Sequence, residues 1–506
     1  MQQRMDIWVS KVFQVLVAAV LGFLLLLSVF SSTTVLVQQN LNGDVKVSNV
    51  FSMDHSILRI GFILIFGGFL LLVRHYLRRT KRKIQSDDWI TVAYAIFLLA
   101  GLFFIMSVRL EPRSDPEKVM NVAKQILAGD HSSFVDQEGY MFRYPFQNGL
   151  VLLDVALLSV FGQNAYLAFQ VLNLLAVLVI AEMLGRISEK GYLSHSIGNA
   201  VRIFVLLQPV TFLYTTYLYG TLLSLACILF AIYSAICYTE KGRWRDFLVC
   251  SAASSVAVIL KSNSMIPMIS MLLFLLWTCS AENKLRKIQN IGLVFGILAA
   301  CVLGRKGINF LTEFLSGAPT PAGMPKMNWI AMGLSGDGTY NGVSVNIFRE
   351  SGFDTAASIA DAWANIKGSL KYFWEHKGYF IKWFLEKNAL QWNDPSFGCI
   401  QINRLRGDAY WGNRFFQELL YGQLGNGLWR LLNNIQSVVL FGAFYYWSSR
   451  GQKTKKAYIL GVAALGGFLF HCFWEAGSQY TMPYYLMLLP YAVEGWHRIV
   501  SRYKGW

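Results

Sequence analysis

Charged side chains are scarce in this chain, and their scarcity excludes most classes of soluble protein. Asp, Glu, Lys and Arg together supply 15% of the 506 residues, whereas 55% of the residues are hydrophobic. Apolar runs of about 20 residues recur along the chain, which is the length that a helix needs to cross the hydrocarbon core of a bilayer. The composition therefore predicts an all-α membrane protein with many spans.

Cysteine and histidine are also few, and their positions favour no metal or disulfide chemistry. Six of the seven Cys fall in apolar runs, and only Cys399 lies in a long polar segment. The seven His show no ligand spacing, and the chain contains no GxxxxGK[ST], HExxH or GxSxG motif. Neither a disulfide framework nor a thiolate metal site is predicted.

Acidic residues are outnumbered, with 29 Asp and Glu against 45 Lys and Arg, a formal net charge of +16. The location of this charge argues against a nucleic-acid partner. The connecting segments RHYLRRTKRK, GRISEKG, TEKGRWR, AENKLRK and SSRGQKTKK are basic, whereas the opposite turns TTYLYG and EAGSQY contain no Lys or Arg. Positive charge concentrates on the cytoplasmic side of membrane proteins, where the lipids are anionic. We therefore expect a multi-pass protein of the cell membrane, with both termini in the cytoplasm.

Hydropathy predicts about 12 spans and five segments along the chain. Residues 1–108 carry three spans, 109–165 form an outer loop, 166–307 carry the central spans, 308–428 form a large extracellular loop between spans 9 and 10, and 429–506 carry three more spans. The predicted spans lie near 12–30, 57–73, 90–108, 164–185, 198–217, 220–238, 246–261, 264–280, 288–306, 429–447, 457–474 and 480–498.

The first outer loop contains a predicted helix that lies along the membrane. Asp115 and Pro116 suit the N-cap and the first turn of a helix. Apolar residues then recur at helical spacing, so that one side of the helix is apolar and the other is charged. A second interfacial helix is predicted over the short run that carries Asp154, because this run is too short for an easy crossing.

The large outer loop combines a Gly- and Pro-rich stretch around Trp329 with a later block rich in Trp, Tyr, Asn and Asp. Sugar rings stack on aromatic side chains and offer hydroxyls to amides and carboxylates, so this composition suits a carbohydrate. An aromatic belt at the membrane interface would have a similar composition. The sequence leaves these two interpretations open.

Cationic residues at the predicted outer ends of the spans are unexpected, because outer loops are normally poor in Lys and Arg. They predict a site for a lipid phosphate, although snorkelling to ordinary headgroups is the alternative for each residue alone. The four predicted phosphate ligands are Arg143, Lys261, Arg305 and Lys306. Further candidates for substrate binding are Tyr144, Trp329, Glu475, Gln479 and Tyr480.

The motifs SDPEKV, AKQILAGD, RYPFQNG, the FG pair at 161–162 and the late WEAGSQY followed by MP occur in this order over most of the chain. This arrangement resembles the GT-C glycosyltransferases, which include protein O-mannosyltransferases, lipid A aminoarabinose transferases and the family-39-like membrane proteins of Gram-positive bacteria. The resemblance implies that Asp115 is the catalytic acidic residue of the loop and that Arg143 is a lipid-phosphate cation. Gln479 departs from the pattern, since an Arg is common at that position.

The function that follows as an expectation is an inverting transfer of a sugar from a polyprenyl-phosphate donor to an extracytoplasmic acceptor. The acceptor would be a cell-wall or surface glycopolymer, a lipid or a protein. Asp115 would act as the general base, and Glu111 would share this role or tune Asp115 as a neighbouring like charge. No cofactor is required; a divalent metal is compatible with two nearby acids but is not implied. The alternatives are a transporter or flippase of a polyprenyl-linked glycan and a multispan glycan polymerase or ligase.

Overall fold

Long helices make up most of the chain, as the sequence predicts. The computed structural model describes residues 2–39, 45–53, 56–79, 88–110, 112–279, 284–399, 415, 418–419, 423–451 and 453–503. In chain order the helices are α1 Gln2–Phe30, α2 Ser56–Arg79, α3 Asp88–Val108, α4 Asp115–Leu127, α5 Ser132–Val135, α6 Tyr140–Arg143, α7 Asn148–Phe161, α8 Ala165–Tyr192, α9 His195–Leu206, α10 Pro209–Leu213, α11 Thr221–Lys241, α12 Trp244–Leu260, α13 Met265–Cys279, α14 Lys284–Ser316, α15 Met327–Gly333, α16 Val343–Glu350, α17 Thr355–Glu375, α18 Lys377–Trp392, α19 Gln423–Ser448, α20 Ile459–His471 and α21 Met482–Arg502.

Several of these helices are long and apolar enough to cross a membrane, which confirms a multi-pass membrane protein. Within the described residues there are seven such stretches, or eight if α9 and the following Pro209–Thr216, bent by 54°, form one span. The predicted number of about 12 is not confirmed, because α12 and α20 have only 17 and 13 residues. The seven stretches are Asp6–Phe30, Ser56–Arg79, Asp88–Val108, Pro145–Tyr192, Thr221–Lys241, Ser262–Cys279 and Lys284–Ser316.

Burial distinguishes the central helix from the peripheral ones. Of the 18 consecutive residues of α11 that are most apolar, 78% are buried inside the protein, compared with 11% for the equivalent residues of both α2 and α14. Apolar side chains that remain exposed on a helix of this length match a lipid environment. We therefore place α11 in the centre of the bundle, packed against α8 and α12, and α2 and α14 at its periphery.

A β-hairpin follows α1 and was not expected from an all-α prediction. Strands β1 (Ser31–Gln39) and β2 (Val45–Met53) pair antiparallel, with Ser31 opposite Met53. β1 contains two Thr and two Val and β2 contains three Val, and the branched side chains of these residues favour strands. Thr33 Oγ1 donates to the Ala389 carbonyl at 2.9 Å, so the start of the hairpin contacts the end of α18.

Within the described residues, the large loop between α14 and α19 contains four helices, α15 to α18. α14 has 33 residues and is about 50 Å long, well beyond the roughly 30 Å of a hydrocarbon core. It continues to Ser316, past the predicted start of the loop at residue 308. Apolar and aromatic residues recur in this loop at a spacing that predicts a helix, and α17 covers all of them: Ala360, Trp363, Ile366, Leu370, Phe373 and Trp374. The loop is therefore largely helical.

The two segments for which the sequence predicts interfacial helices form α4 and α7, and these helices pack against each other. Their position at a membrane interface stays a prediction. The apolar side of α4 is buried, including Val119 and Ala123, which have no exposed surface. Leu127 is the exception, since it is 51% exposed. The α4–α7 pair carries the N-terminus of α4, where the candidate site begins.

Candidate functional site

Asp115 occupies the first turn of α4, although the sequence predicted it as the N-cap. α4 begins at Asp115, and Ser114 precedes it in a left-handed conformation with φ 57° and no side-chain capping bond. The Asp115 Oδ2 accepts a hydrogen bond from the Tyr219 hydroxyl at 3.3 Å, and its Oδ1 lies 4.0 Å from Lys118 Nζ. The side chain is 47% exposed. Because the backbone turns at Ser114, the Asp115 carboxylate lies beside Tyr219 and does not occupy the capping position.

Tyr219 connects Asp115 to two other elements. Its hydroxyl donates to Asp115 and accepts a hydrogen bond from Gln147 Nε2 at 2.6 Å. The Lys261 Nζ lies 3.3 Å from the centre of the Tyr219 ring. Because the tyrosine is buried and bonded at both sides of its oxygen, it fixes where Asp115 and Lys261 lie relative to each other.

Lys261 immediately follows α12, at the same end of the bundle as Asp115. Part of its side chain is accessible, but protein surrounds the ammonium closely. This desolvation lowers the pKa of Lys261 to about 7, while the charges of Asp115 and Glu475 act in the opposite direction. The ring of Tyr480 lies 5.9 Å from the Lys261 Nζ. Lys261 is therefore a cation that faces two carboxyl groups.

Glu475 lies between α20 and the short 3₁₀ turn Ser478–Tyr480, and it is buried. The Tyr480 hydroxyl donates to Glu475 Oε2 at 3.4 Å. Burial and, to a smaller extent, the charge of Asp115 raise the pKa of Glu475 to about 7, against the opposing effects of Tyr480, Lys261 and Lys387. Asp115, Tyr219, Lys261, Glu475 and Tyr480 therefore form one electrostatically coupled group, which we call the Asp115–Glu475 site.

The large loop between α14 and α19 holds the turn that carries Glu475. The Ala476 N–H donates to the Gly338 carbonyl at 2.7 Å. Gly333, the last residue of α15, packs so closely that a Cβ there would lie 2.5 Å from the Phe473 carbonyl oxygen. Farther along the chain, the Asp394 Oδ2 accepts a hydrogen bond from Ser478 Oγ at 2.6 Å. Three separate segments of the loop thus fix the position of Glu475.

Aromatic side chains form one wall beside this site. The Trp329 ring stacks on Trp474, with centroids 5.8 Å apart and planes inclined by 4°, and it also lies 5.9 Å from the ring of Tyr144. Burial raises the pKa of Tyr144, and the charges of Asp115 and Glu475 also raise it. The predicted residues Tyr144 and Trp329 are therefore next to the acidic pair.

Arg143 lies at the rim and already has a carboxylate partner. Its Nη1 is 3.4 Å from Glu138 Oε2, and its Nη2 donates to the Glu138 carbonyl at 2.6 Å. The guanidinium carbon is 5.8 Å from the centre of the Tyr144 ring. Arg349 binds the same carboxylate at 2.8 Å. Arg143 is thus close to the site and shares its charge with a local ion pair.

The sequence matches one family of membrane proteins. A family model described as conserved hypothetical integral membrane protein matches residues 5–497. The chain belongs to that family. No curated protein matches it. Membership of this family shows that the chain is an integral membrane protein, and it assigns no reaction.

Four predicted residues remain: Arg305, Lys306, Gln479 and Glu111. Arg305 donates from its two terminal nitrogens to the carbonyls of Phe146 and Pro145, at 3.1 and 3.2 Å. Lys306 is exposed on α14. Gln479 lines a narrow space next to Lys261, between the ends of α11, α13 and α21. Glu111 lies outside the described residues.

Sequence reasoning missed Tyr219 and Lys387. The segment FLYTTYLYG contains three Tyr, and this clustering was the available signal for Tyr219. Lys387 is fully buried in α18 and donates to the Gly333 carbonyl. Burial lowers its pKa to about 7. Within the described residues, no group of three or more His, Cys, Asp or Glu has the geometry to hold a metal ion.

Proposed function

We propose that this protein is a membrane glycosyltransferase that moves a sugar from a polyprenyl-phosphate donor to an extracytoplasmic acceptor, with inversion at the anomeric carbon. The observation that carries the proposal is the pairing of Asp115 with Lys261 across the Tyr219 side chain. This pair places a proton acceptor and a cation close together. A transfer with a phosphate leaving group needs both, because the acceptor takes the proton of the attacking hydroxyl and the cation stabilises the charge of the leaving phosphate.

In the proposed reaction, the Asp115 carboxylate accepts the proton of the acceptor hydroxyl. The hydroxyl oxygen forms a bond to the anomeric carbon of the sugar as the bond from that carbon to the phosphate oxygen breaks. The electron pair of the broken bond leaves with the polyprenyl phosphate. Asp115 suits the base role because it is 47% exposed and can meet an acceptor from the water phase.

Lys261 is the proposed main ligand of the donor phosphate. Its ammonium is desolvated and lies against the ring of Tyr219. The nearby carboxyl groups supply part of the negative charge that stabilises this ammonium, and a donor phosphate would supply more. Arg143 would act at the rim, where Glu138 already neutralises part of its charge. Arg305 would act indirectly, since its contacts fix the backbone between Tyr144 and α7.

Glu475 is the second carboxyl group of the proposed reaction centre. In the proposed centre, Glu475 is the acidic neighbour of Asp115, a role that the sequence predicts for Glu111. Its pKa near 7 leaves it partly protonated at neutral pH, so it can donate a hydrogen bond to a sugar hydroxyl as well as accept one. The stacked pair of Trp329 and Trp474, with Tyr144, would provide apolar faces for the C–H side of the sugar ring.

The proposed orientation places the Asp115–Glu475 site outside the cell and both termini in the cytoplasm. The basic connecting segments support it, because they lie at the opposite ends of the spans from Asp115. In this orientation α4 and α7 would lie at the outer interface and keep the polyprenyl chain in the bilayer while its phosphate meets the acceptor.

One observation favours a transporter or flippase as a second candidate function. Asp154 in α7 is 1% exposed, and one of its carboxylate oxygens has no hydrogen-bond partner. A buried acidic side chain in an apolar helix is typical of transport pathways. α7 packs against α4, so Asp154 and Asp115 are carried by one helix pair.

Mass spectrometry of surface glycopolymers from cells with and without this protein distinguishes these functions. A transferase predicts polymers that each lose one hexose-type mass when the protein is missing, while the backbone of the polymer remains. A flippase predicts loss of the entire translocated glycan. Unchanged masses in polymers, lipids and surface proteins would contradict the proposed function.

A further inference from the structure

A second charged region lies at the opposite end of the bundle from Asp115. α11 begins at Thr221, two residues after Tyr219, and Glu240 comes near its other end. A rise of 1.5 Å per residue puts Glu240 about 28 Å from Thr221 along the helix axis. An open cavity of about 620 Å³ at this end is lined by Lys190, Glu240, Arg286, Lys455 and Lys456, among others.

Positive charge exceeds negative charge around this cavity. Glu240 is shared by two lysines, with its Oε2 2.6 Å from Lys190 Nζ and its Oε1 2.5 Å from Lys456 Nζ. Lys455 Nζ lies 2.9 Å from Asp6 Oδ2. Four cationic side chains therefore line the cavity, and two of them, Lys190 and Lys456, share the single carboxylate of Glu240.

Lys190 and Lys456 keep donor capacity that their ion pairs with Glu240 do not use. Each ammonium has three N–H donors, and Lys190 and Lys456 each give one to the same carboxylate. The lysine side chains retain between a quarter and a third of their exposure, so they are partly desolvated. Partly desolvated cations with spare donors favour an anion that offers several acceptor oxygens, as phosphate does.

The edge of the cavity has the character of a membrane interface. Leu193 lines it and is 79% exposed, immediately after α8. Lys455 Nζ also lies 5.2 Å from the ring centre of Trp277, whose Nε1 donates to Asp6. Trp is enriched at the level of lipid headgroups, and an exposed Leu beside cations suits a molecule with a polar head and an apolar tail.

We propose that this cavity, formed by the ends of α8, α11 and α13 and the start of α14, binds a phosphate-bearing anion. The phosphate would lie between Arg286 and the lysine pair, and the same chemistry would accept an anionic lipid headgroup or a soluble phosphate. The site does not depend on the proposed glycosyltransferase reaction, because it is a helix length away from Asp115.

The test uses the full-length protein purified in detergent and native mass spectrometry with phosphatidylglycerol, phosphatidylcholine or inorganic phosphate as the added probe. The variant is Arg286→Gln with Lys456→Gln, which removes two lining cations and keeps Lys190 paired with Glu240. Arg245→Gln is the matched control, because Arg245 is exposed in the first turn of α12 at the same end of the bundle and does not line the cavity.

The expected result is saturable binding that weakens at least about tenfold in the double variant, as the loss of charge-assisted contacts predicts, and is unchanged in Arg245→Gln. Binding of phosphatidylglycerol that inorganic phosphate does not displace would identify a lipid headgroup as the source. Displacement by inorganic phosphate would identify a soluble anion. Equal affinity in the double variant and the parent protein, or no saturable binding of any probe, would overturn the proposal.

Discussion

Lys261 and Glu475 are two side chains of opposite charge that burial affects in opposite directions. Desolvation lowers the pKa of Lys261 and raises that of Glu475, and both values are about 7. Lys261 is therefore charged below pH 7 and increasingly neutral above it, whereas Glu475 is neutral below pH 7 and ionised above it. A phosphate ligand needs the charged form of Lys261, so the two groups give the proposed site a dependence on pH near neutrality.

The kcat/KM for the sugar donor should fall as pH rises through about 7, because the free protein then loses the Lys261 proton. Lys261→Arg should remove this decline, since a guanidinium stays charged. Glu475→Gln should move the decline to lower pH, because the Glu475 charge raises the pKa of Lys261. Measured pH profiles that are identical in the parent protein and Lys261→Arg would show that Lys261 does not bind the donor phosphate.

The sequence identified Asp115, Lys261, Glu475 and Tyr480 because charge and polarity at the ends of apolar runs are visible without a structure. It did not identify Tyr219, although this residue links Asp115 to Lys261. The hydrogen bond from Tyr219 to Asp115 joins residues 104 positions apart, and local pattern carries no information on such a contact. The role of Asp115 as a helix cap was wrong for the same reason, since the turn at Ser114 and the Tyr219 hydroxyl decide where its carboxylate lies.

At the scale of elements, the helical loop between α14 and α19 holds the turn that carries Glu475. α15 touches this turn through Gly333, where the two backbones approach too closely for any larger residue. α18 contributes Lys387, which donates to the carbonyl of the same glycine. The loop therefore positions a residue of the proposed reaction centre, even though it lies far from Glu475 in sequence.

Gly333→Ala should impair the protein, because its Cβ would lie 2.5 Å from the Phe473 carbonyl oxygen and displace the turn before Glu475. Overpacking of this kind typically costs about 1–3 kcal/mol of folding free energy. The thermal unfolding midpoint in detergent and the rate of sugar transfer should both fall. Gly368→Ala is the matched control within α17, where a Cβ meets nothing within 4 Å and improves helix propensity. Equal midpoints for the two variants would contradict this contact.

Periodicity predicted α4 and the helix α17, because a repeat of apolar residues at helical spacing reports directly on a buried face. It did not predict the end of α14. Hydropathy places the end of the predicted span at the charged pair Arg305 and Lys306, whereas the helix continues to Ser316. It also did not predict the hairpin, in which β1 begins immediately after α1.

At the scale of the whole molecule, two charged regions lie at opposite ends of one helical bundle. The Asp115–Glu475 site lies beside the start of α11, and the cavity lined by Lys190 and Arg286 lies at its other end. The excess of basic residues in the connecting segments predicts which end faces the cytoplasm. Apolar composition predicted an integral membrane protein, which is confirmed, whereas the number of spans depends on helix lengths and bends that hydropathy does not resolve.

Topology can be measured by labelling single introduced cysteines on intact cells with a membrane-impermeant maleimide. Lys371→Cys in α17 should react from outside, because the Lys371 side chain is 76% exposed in the large outer loop. Arg245→Cys, exposed at the start of α12, should react only after the membrane is opened. The parent protein with its seven native Cys provides the background. Labelling in the reverse order would place the Asp115–Glu475 site on the cytoplasmic side.

The central claim is that Asp115 acts as a general base, and Asp115→Asn tests it most directly. The measurement is the initial rate at which labelled sugar enters surface polymers, per amount of membrane-inserted protein, in cells that lack the parent chain. Asn can still accept the hydrogen bond from Tyr219 but cannot take up the acceptor proton.

Glu117→Gln is the matched control, because it removes an acidic charge from the same first turn of α4. We predict that the rate falls about 100-fold or more for Asp115→Asn, with the donor KM little changed, and stays close to the parent rate for Glu117→Gln. A near-normal rate for Asp115→Asn would contradict the proposed mechanism.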